Sequence, residues 1–281
     1  MLVFTEKDVL QKHLKPIHKN KRKIGFVPTM GALHDGHLSL LKQSLEENDV
    51  TIISIFVNPT QFNNPEDLEK YPRTLDADIN KIETLCKDII VFSPSVDDIY
   101  EGNTFSNAFD FDGLEKQMEG KHRPGHFDGV GTVVKKLLEI VEPNSAYFGQ
   151  KDFQQLQIVR KLVSKHNIPV QIVGCPIHRE TNGLAMSSRN QRLSEEAKKK
   201  SSLIFKTLQK SKEKFKTLSA KETVAFVEKE FLKFPEFTLE YFEIAEEESL
   251  LPCIRKSKSK QYRAFIAVFI ENIRLIDNLK L

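Results

Sequence analysis

Two histidines three residues apart stand in a glycine-containing stretch near the start of the chain. Residues 28–37 have the sequence Pro-Thr-Met-Gly-Ala-Leu-His-Asp-Gly-His and follow a short apolar run. An apolar strand followed by a helix would place this stretch at a strand's carboxyl end, where open α/β sheets bind ligands. Helix N-termini attract phosphate, and glycines allow close approach. His34 and His37 would then face the same way and donate hydrogen bonds to phosphoryl oxygens. The alternative is a surface turn with incidental histidines.

A second polar stretch occupies residues 183–190, with the sequence Gly-Leu-Ala-Met-Ser-Ser-Arg-Asn. Hydroxyl groups and a guanidinium in a glycine-flanked loop are suited to hold a charged leaving group such as pyrophosphate. Taken alone, the stretch is better explained as a turn or a helix cap, because Ser and Asn favour such positions. The two stretches together resemble the HIGH and KMSKS elements of the nucleotidyltransferase superfamily, which activate acids by attack on the α-phosphate of ATP.

Two further stretches carry candidate binding side chains. Residues 148–155, Phe-Gly-Gln-Lys-Asp-Phe-Gln-Gln, offer Lys151 as a point charge for phosphate and Asp152 as an acceptor for ribose hydroxyls. Residues 55–62 end in Asn-Pro-Thr-Gln-Phe, so Gln61 and Gln155 are candidates to hold a small polar substrate. The alternatives are a helix cap by Asp152 with a solvated Lys151, and a pair of exposed loop amides.

Alternating strands and helices are expected to position these stretches. Apolar runs bounded by turn residues predict strands, and apolar residues at helical spacing predict helices. The alternation predicts a Rossmann-like, doubly wound parallel sheet of class α/β. The predicted strands are 24–27, 50–57, 89–92, 146–148 and 170–173, and the predicted helices begin at Gly36 or span 75–86, 129–141 and 151–166.

The pattern changes in the last third of the chain. Residues 194–234 contain two helical stretches rich in Lys and Glu, followed by strand-like residues 238–244 and 263–270 without a βαβ rhythm. We therefore expect a domain of residues 1–176 that binds ATP and substrate, and a smaller α+β domain of residues 177–281 with the Ser-Ser-Arg stretch at the junction. The polar residues 100–127 are a candidate for a loop over the sheet edge, with residues 119–128 as its closing part.

Composition excludes several classes of protein. Lys plus Arg number 42 against 39 Asp plus Glu, and the basic residues are dispersed, so we expect no nucleic-acid partner. The three cysteines, Cys86, Cys175 and Cys253, are widely spaced and predict neither a disulfide framework nor a zinc site. Neither a secretory leader nor a membrane span is predicted. We expect a soluble cytoplasmic protein.

The motifs in order resemble one enzyme family, the pantothenate synthetases or pantoate–β-alanine ligases. Besides the stretches above, the chain contains Phe-Val-Asn-Pro-Thr-Gln-Phe, Tyr-Pro-Arg-Thr at 71–74, Arg-Pro-Gly-His-Phe at 123–127 and Arg-Leu-Ile-Asp-Asn at 274–278. Their order and spacing span nearly the whole sequence. The resemblance implies that ATP and (R)-pantoate form a pantoyl adenylate, from which β-alanine displaces AMP to give pantothenate. It also implies Mg²⁺ with the ATP and a homodimer.

The resemblance also assigns roles residue by residue. His37 and His34 act at the reacting phosphate, Lys151 and Arg189 complete the catalytic group, and Gln61 and Gln155 bind pantoate. The residues assigned to ATP are Met30, Gly31, Ala32, Leu33, His34, Asp35, Gly36, His37, Gly149, Gln150, Lys151, Asp152, His178, Met186, Ser187, Ser188 and Arg189.

Three positions depart from the family pattern or are weakly transferred. Ala185 replaces the first lysine of the KMSKS pattern and Arg189 the second, so Arg189 takes more of the phosphate contact. His178 is polar where an apolar residue is expected beside adenine, which its backbone contacts. Asp78 is the predicted Mg²⁺ ligand, although Ala77 leaves it without an adjacent carboxylate.

Two other functions compete with this interpretation. A nucleotidyltransferase that adenylates a phosphate ester would need several cations for the second phosphate, where this chain has Gln61 and Gln155. A nucleotide-binding sensor without turnover would keep the fold and lose the reactive groups. The presence of both histidines, Lys151 and Arg189 argues against the sensor.

Overall fold

The computed structural model describes residues 1–63 and 65–281. The chain folds into two compact units: the first comprises Met1–Gln150 and Gln155–Pro176, and the second comprises Lys151–Gln154 and Ile177–Leu281. The elements up to residue 176 are β1 (Leu2–Phe4), α1 (Lys7–Lys19), β2 (Ile24–Thr29), α2 (Asp35–Glu47), β3 (Val50–Ile55), α3 (Pro65–Glu69), α4 (Leu75–Leu85), β4 (Ile90–Phe92), α5 (Val96–Tyr100), α6 (Met118–His122), α7 (His126–Val141), β5 (Ser145–Gly149), α8 (Phe153–Lys165) and β6 (Gln171–Cys175).

The sheet of the first unit is parallel, with strand order β1-β4-β3-β2-β5-β6. On one side of β2 lie β3 and then β4. On the other side of β2 lies β5. The order therefore reverses between β2 and β5, and ligands in open α/β sheets bind at such a switch point. Thr29 pairs with Ile55, so β2 and β3 end at the same level.

Both faces of this sheet are covered by other parts of the unit. All six residues of β3 are buried, as are the first four of β2, although successive side chains point to opposite faces. One face packs Val27, Ile53 and Val91 with Leu41 of α2 and Ile82 of α4. The predicted class, a doubly wound parallel α/β sheet, is confirmed.

The second unit contains an antiparallel sheet of order β7-β8-β9 with helices packed against it. Its apolar core joins α10 and α11 to the three strands, for example through Leu208, Val227 and Ile266. The predicted smaller α+β part of the chain is confirmed. Its elements are α9 (Glu195–Lys200), α10 (Ser202–Thr217), α11 (Ala220–Phe231), β7 (Thr238–Glu246), β8 (Tyr262–Ile270) and β9 (Ile273–Lys280).

Local signals set the helix boundaries in this unit. Ser219 accepts from the Glu222 N–H at 3.2 Å, and the Glu222 carboxylate accepts in return from the Ser219 N–H at 2.8 Å. This capping box starts α11. The region predicted as two helical stretches contains three helices, because α9 ends before Ser201, whose buried hydroxyl donates to the Ala197 carbonyl at 2.8 Å.

Across residues 1–63 and 65–281, no helix combines the length and the apolar character needed to cross a membrane. The three cysteines are free thiols. Burial raises the pKa of the Cys175 thiol to about 12, so this residue is protonated at neutral pH.

Candidate active site

The histidine loop, residues 30–37, leaves β2 through two residues in the left-handed conformation. Gly31 has φ of +80° and Ala32 has φ of +50°. A Cβ at position 31 would lie 3.0 Å from both Asp78 Oδ2 and Ile55 Cγ2, so the position needs glycine for conformation and for space. Left-handed Ala32 costs about 1–3 kcal/mol, which other contacts must offset.

Two side chains of α4 supply those contacts. The Asp78 carboxylate accepts from the Ala32 N–H at 2.9 Å and from the Leu33 N–H at 2.7 Å. Lys81 Nζ donates to the Leu33 carbonyl at 2.6 Å. The Asp78 side chain is buried, and a carboxylate that accepts backbone N–H groups makes strong, charge-assisted hydrogen bonds. The loop is therefore fixed in its strained form by a neighbouring helix.

The two histidines lie side by side at the start of α2. Their ring centroids are 4.0 Å apart, and the planes are inclined by 33°. The His34 N–H donates to His37 Nδ1 at 3.3 Å, and the His34 carbonyl accepts from the His37 N–H at 2.8 Å. A ring nitrogen that accepts a hydrogen bond carries no proton, so this contact assigns the His37 proton to Nε2. His37 can then donate through Nε2–H.

The contacts of Asp78 bear on the magnesium prediction. Each carboxylate oxygen already accepts a loop N–H, and Thr74 Oγ1 donates to Oδ2 at 3.3 Å. Within the part of the chain that the structure describes, no group of three or more His, Cys, Asp or Glu side chains is arranged to hold a metal ion. The structure thus gives Asp78 a role in holding the loop, and its role as a Mg²⁺ ligand stays a prediction.

Gln61 is placed beside the histidine loop by a short 3-10 turn after β3. Its Nε2 lies 3.0 Å from Met30 Sδ, and its Oε1 accepts from Asn58 Nδ2 at 3.2 Å. The Gln61 carbonyl lies 2.8 Å from His126 Nδ1 at the start of α7. The structure therefore brings the predicted substrate residue and the predicted nucleotide residue Met30 together.

A buried tyrosine outside the sequence motifs completes this network. Tyr100 Oη donates to Asn58 Oδ1 at 2.6 Å and lies 3.0 Å from Thr60 Oγ1. Burial raises the pKa of Tyr100, while its hydrogen bonds to Thr60 and Asn58 oppose the rise. Asn58 belongs to a quoted motif, so its type and position were available as a signal; Tyr100 stands in a polar region with no motif of its own.

The remaining predicted residues of the first unit lie at the end of β5 and the start of α8. Gly149 is the last residue of β5, and a Cβ there would meet nothing within 4 Å. The Gln150 amide donates to the Gly174 carbonyl at 3.0 Å, so its side chain is engaged within the sheet edge. Gln155 is half-buried in the first turn of α8. The roles of Gly149, Gln150 and Gln155 stay predictions.

Lys151 and Asp152 belong to the second unit and contact each other. Lys151 Nζ lies 3.3 and 3.4 Å from the two Asp152 carboxylate oxygens. Lys151 is the more buried of the two, with its side chain 19% exposed against 46% for Asp152. The Lys151 ammonium therefore lies close to a carboxylate and is still partly accessible to an anion.

The serine hairpin, residues 178–189, presents the second predicted phosphate-binding stretch. Arg179 and Ala185 form an antiparallel bridge, and the Met186 N–H donates to the His178 carbonyl at 3.0 Å. Ser187 then caps a 3-10 turn by accepting from the Arg189 N–H at 3.3 Å. His178 has an exposed side chain, so its backbone is the part held in place.

The fold and the loop together define an α/β protein whose sheet carries a phosphate-type loop at its switch point, as nucleotide-binding enzymes do. A family model described as pantoate-beta-alanine ligase matches residues 2–280. The pantothenate synthetase of Flavobacterium psychrophilum is 61% identical to the chain over the full length of both.

Solved structures give the same result. The crystal structure of pantothenate synthetase from Thermus thermophilus superposes with a TM-score of 0.91 at 38% identity, covering 100% of this chain and 99% of that one. Pantoate-beta-alanine ligase from Francisella tularensis, complexed with beta-gamma ATP and β-alanine, has a TM-score of 0.77 at 36% identity and covers 100% and 97%. The chain belongs to the pantoate–β-alanine ligase family. It is a ligase that forms a carbon–nitrogen bond.

Proposed function

We propose that the chain condenses (R)-pantoate with β-alanine, using ATP, and releases pantothenate, AMP and pyrophosphate through a pantoyl adenylate. The observation that carries this proposal is the histidine loop, in which Asp78 holds a strained backbone and His37 offers Nε2–H at the sheet's switch point. Family membership supports the two substrates. The ATP- and β-alanine-bound relative from Francisella tularensis supports their binding here.

The first step forms the adenylate. A pantoate carboxylate oxygen attacks the α-phosphorus of ATP, the bond from that phosphorus to the bridging oxygen breaks, and pyrophosphate leaves with the electron pair. Two anions approach each other, so donors and cations fixed in advance must stabilise the charge. In this proposal His37 Nε2–H and its neighbour His34 donate to the reacting phosphate, and residues 30–37 line the nucleotide.

The second unit holds the leaving group in this proposal. Lys151 and Arg189 supply two positive charges to the β- and γ-phosphates, and the hydroxyls of Ser187 and Ser188 add donors. The 3-10 turn that Ser187 caps supports this role, because it fixes the backbone between the serines and the arginine.

The rest of the nucleotide is assigned to backbone and ribose contacts. Gly149 offers open backbone at the end of β5, and Asp152 accepts from ribose hydroxyls. Gln150 contributes through its backbone, since its amide is engaged by Gly174. His178 contacts adenine through its backbone, and Met186 lies next to it in the hairpin.

The second step forms the amide. The β-alanine amine attacks the acyl carbon, the bond from that carbon to the phosphate oxygen breaks, AMP leaves, and the nitrogen loses a proton. Gln61 and Gln155 hold pantoate by their carboxamides, and Gln61 is also placed to meet β-alanine. The contacts of Gln61 with Asn58 and Met30 support this role, because they limit its rotation.

Magnesium, oligomeric state, location and domain limits are further parts of the proposal. Mg²⁺ arrives with the ATP phosphates, because the described residues offer no cluster for a protein-only site and Mg²⁺ is commonly bound by phosphates and few carboxylates. The protein is a homodimer of the cytoplasm, where its three free thiols stay reduced. The proposed domain limits are residues 1–176 and 177–281, although Lys151–Gln154 belong to the second compact unit.

Isotope exchange tests the function directly. With Mg²⁺, ATP and labelled pyrophosphate, we expect label to enter ATP only when pantoate is present, and AMP to accumulate only when β-alanine is added. Exchange that does not require pantoate would contradict the proposed function. Substituting phosphopantetheine or a mononucleotide for pantoate tests the phosphate-ester alternative, and ATP binding without any exchange would identify a sensor.

A further inference from the structure

Two adjacent residues of β9, Asp277 and Asn278, are buried polar side chains without a role in the reaction described so far. They are 4% and 1% exposed. Successive strand residues point to opposite faces, so the two side chains leave the sheet on opposite sides. Burying a carboxylate and an amide costs free energy unless each finds hydrogen-bond partners. The partners are found in the two stretches assigned to pyrophosphate.

Asp277 anchors the serine hairpin. Arg179 forms a bidentate pair with it, with Nη1–Oδ2 of 2.6 Å and Nη2–Oδ1 of 2.9 Å. The same guanidinium donates to the Gly183 carbonyl at 3.1 Å and lies 3.8 Å from the Phe205 ring centroid. Arg179 therefore ties its own strand and the turn at Gly183 to β9. Ser187, Ser188 and Arg189 form the C-terminal end of that hairpin.

Asn278 anchors the other stretch. Its Nδ2 donates to the Lys151 carbonyl at 2.8 Å, and its Oδ1 accepts from Arg263 Nη1 at 2.6 Å. The Arg263 guanidinium lies 4.0 Å from the centroid of the Phe153 ring, two residues beyond Lys151, and its Nε donates to Glu247 at 2.9 Å. The main chain at Lys151 is thus held by an amide that is itself held by a buried cation.

We propose that Asp277 and Asn278 are positioning residues for adenylate formation, which hold the main chain of Lys151 and of the serine hairpin in register so that their cations meet the leaving pyrophosphate. The inference rests on the proposed function. One dipeptide contacts both stretches, and all of these residues belong to the second unit. Amide transfer from the adenylate releases no pyrophosphate, so it uses the ribose and adenine contacts of these stretches but not the cations that meet the leaving group, and its rate at saturating adenylate should change less.

Adenylate formation and amide formation can be assayed separately, which distinguishes a positioning role from a general loss of stability. Asn278→Ala is measured by pantoate-dependent pyrophosphate exchange and by pantothenate formation from β-alanine and chemically prepared pantoyl adenylate. We expect exchange to fall about 100-fold, since a displacement of about 1 Å in a reacting group has effects of this size, with a higher KM for ATP. We expect transfer from the prepared adenylate to stay within about twofold.

Ile266→Val is the matched control, because Ile266 is fully buried in β8 and pairs with Asp277, and its side chain has no polar group that could hold either stretch. Both variants are assayed below their melting temperatures, and Ile266→Val should leave the ratio of the two half-reactions unchanged. If Asn278→Ala does not fold, Asn278→Asp keeps the acceptor for Arg263, removes the donor to Lys151 and gives the same expected split. Equal loss of both half-reactions, or unchanged exchange, would overturn the inference.

Asp277→Asn extends the test to the hairpin, and we expect the same split with a smaller loss, because an amide keeps one contact to Arg179. Exchange by the wild-type protein distinguishes a failure of the proposed function from a failure of the positioning role. Failure of the wild type to exchange pyrophosphate contradicts the proposed function. Normal exchange by the wild type together with normal exchange by Asn278→Ala and Asp277→Asn contradicts only the positioning role.

Discussion

The histidine loop and the serine hairpin are both irregular backbone tied to one buried carboxylate, but the two carboxylates act differently. Asp78 accepts directly from two loop N–H groups. Asp277 holds the hairpin through the guanidinium of Arg179. A loop substitution that keeps the backbone N–H groups leaves the partners of Asp78 in place, whereas a single mutation of Arg179 removes the counter-charge of Asp277 and leaves it the Asn278 N–H at 2.7 Å. Mutations around Asp78 and around Asp277 should therefore affect stability and activity differently, although both anchors are buried carboxylates.

The largest loss of unfolding free energy is expected at the Arg179–Asp277 pair. Arg179→Ala leaves a carboxylate buried without its counter-charge, so we expect the free energy of unfolding to fall by about 3–5 kcal/mol. Urea denaturation measures it, with the exposed Arg255→Ala as control. Equal stability of the two variants would contradict the comparison.

The same variant has a defined pH dependence. Burial raises the pKa of Asp277, and Arg179 opposes that rise. Without Arg179 the folded pKa lies further above the unfolded one, so the folded state binds more protons between the two values. The unfolding free energy of Arg179→Ala should therefore fall as pH rises through that window. Its deficit relative to the wild type should be smaller near about pH 4 than at neutral pH.

The next effect concerns turnover. His37→Ala removes the Nε2–H donor, and we expect kcat for adenylate formation to fall about 100- to 1000-fold with little loss of stability. His18→Ala, in the last turn of α1, is the control. Near wild-type exchange by His37→Ala would remove this residue from the mechanism.

Asp78→Asn tests the anchor that acts through backbone. The amide keeps one acceptor and turns an NH₂ group toward the second loop N–H, so we expect a loss of about 1–3 kcal/mol in unfolding free energy. Pyrophosphate exchange should fall as well, because the loop relaxes. The Mg²⁺ concentration for half-maximal exchange then tests the magnesium prediction: an increase supports Asp78 as a ligand, and an unchanged value removes it.

Gly31→Ala and Gly102→Ala separate conformation from space. Both glycines have nearly the same φ, +80° and +81°, but only position 31 has neighbours that a Cβ would meet. We expect Gly102→Ala to cost about 1 kcal/mol in unfolding free energy from strain alone, and Gly31→Ala to cost more. Calorimetric melting measures both, and equal losses would show that Asp78 and Ile55 leave room at the loop.

The smallest effect is expected at His178. Its side chain is exposed and its carbonyl is used by Met186, so His178→Ala should change KM for ATP by less than about twofold. Initial rates at varied ATP measure this, and a larger change would place the imidazole in contact with the nucleotide.

Local patterns predicted the central strands because buried parallel strands are nearly continuous apolar runs. The predicted strand 24–27 and helix 75–86 correspond to β2 and α4 with small shifts at their ends. The short edge strand β1 and the helix α1, which contains Pro16, were not predicted. A three-residue strand is too short to show a period, and β9 was seen only as a motif because its two adjacent buried polar residues break the alternation of a strand.

The sequence by itself determined which residue types stand at the ends of the strands, and hence the phosphate-binding character of the histidine loop, because a strand, a glycine-rich turn and a helix start are contiguous in the chain. Only the tertiary structure decided what holds that chemistry in place. Asp78 lies 46 residues from Ala32, and Asp277 lies 98 residues from Arg179. Such partners leave no local spacing to detect, because their contacts arise from packing of elements that are distant in sequence. The Mg²⁺ role of Asp78 stays a prediction, and only the tertiary structure shows that both of its carboxylate oxygens accept from backbone N–H groups.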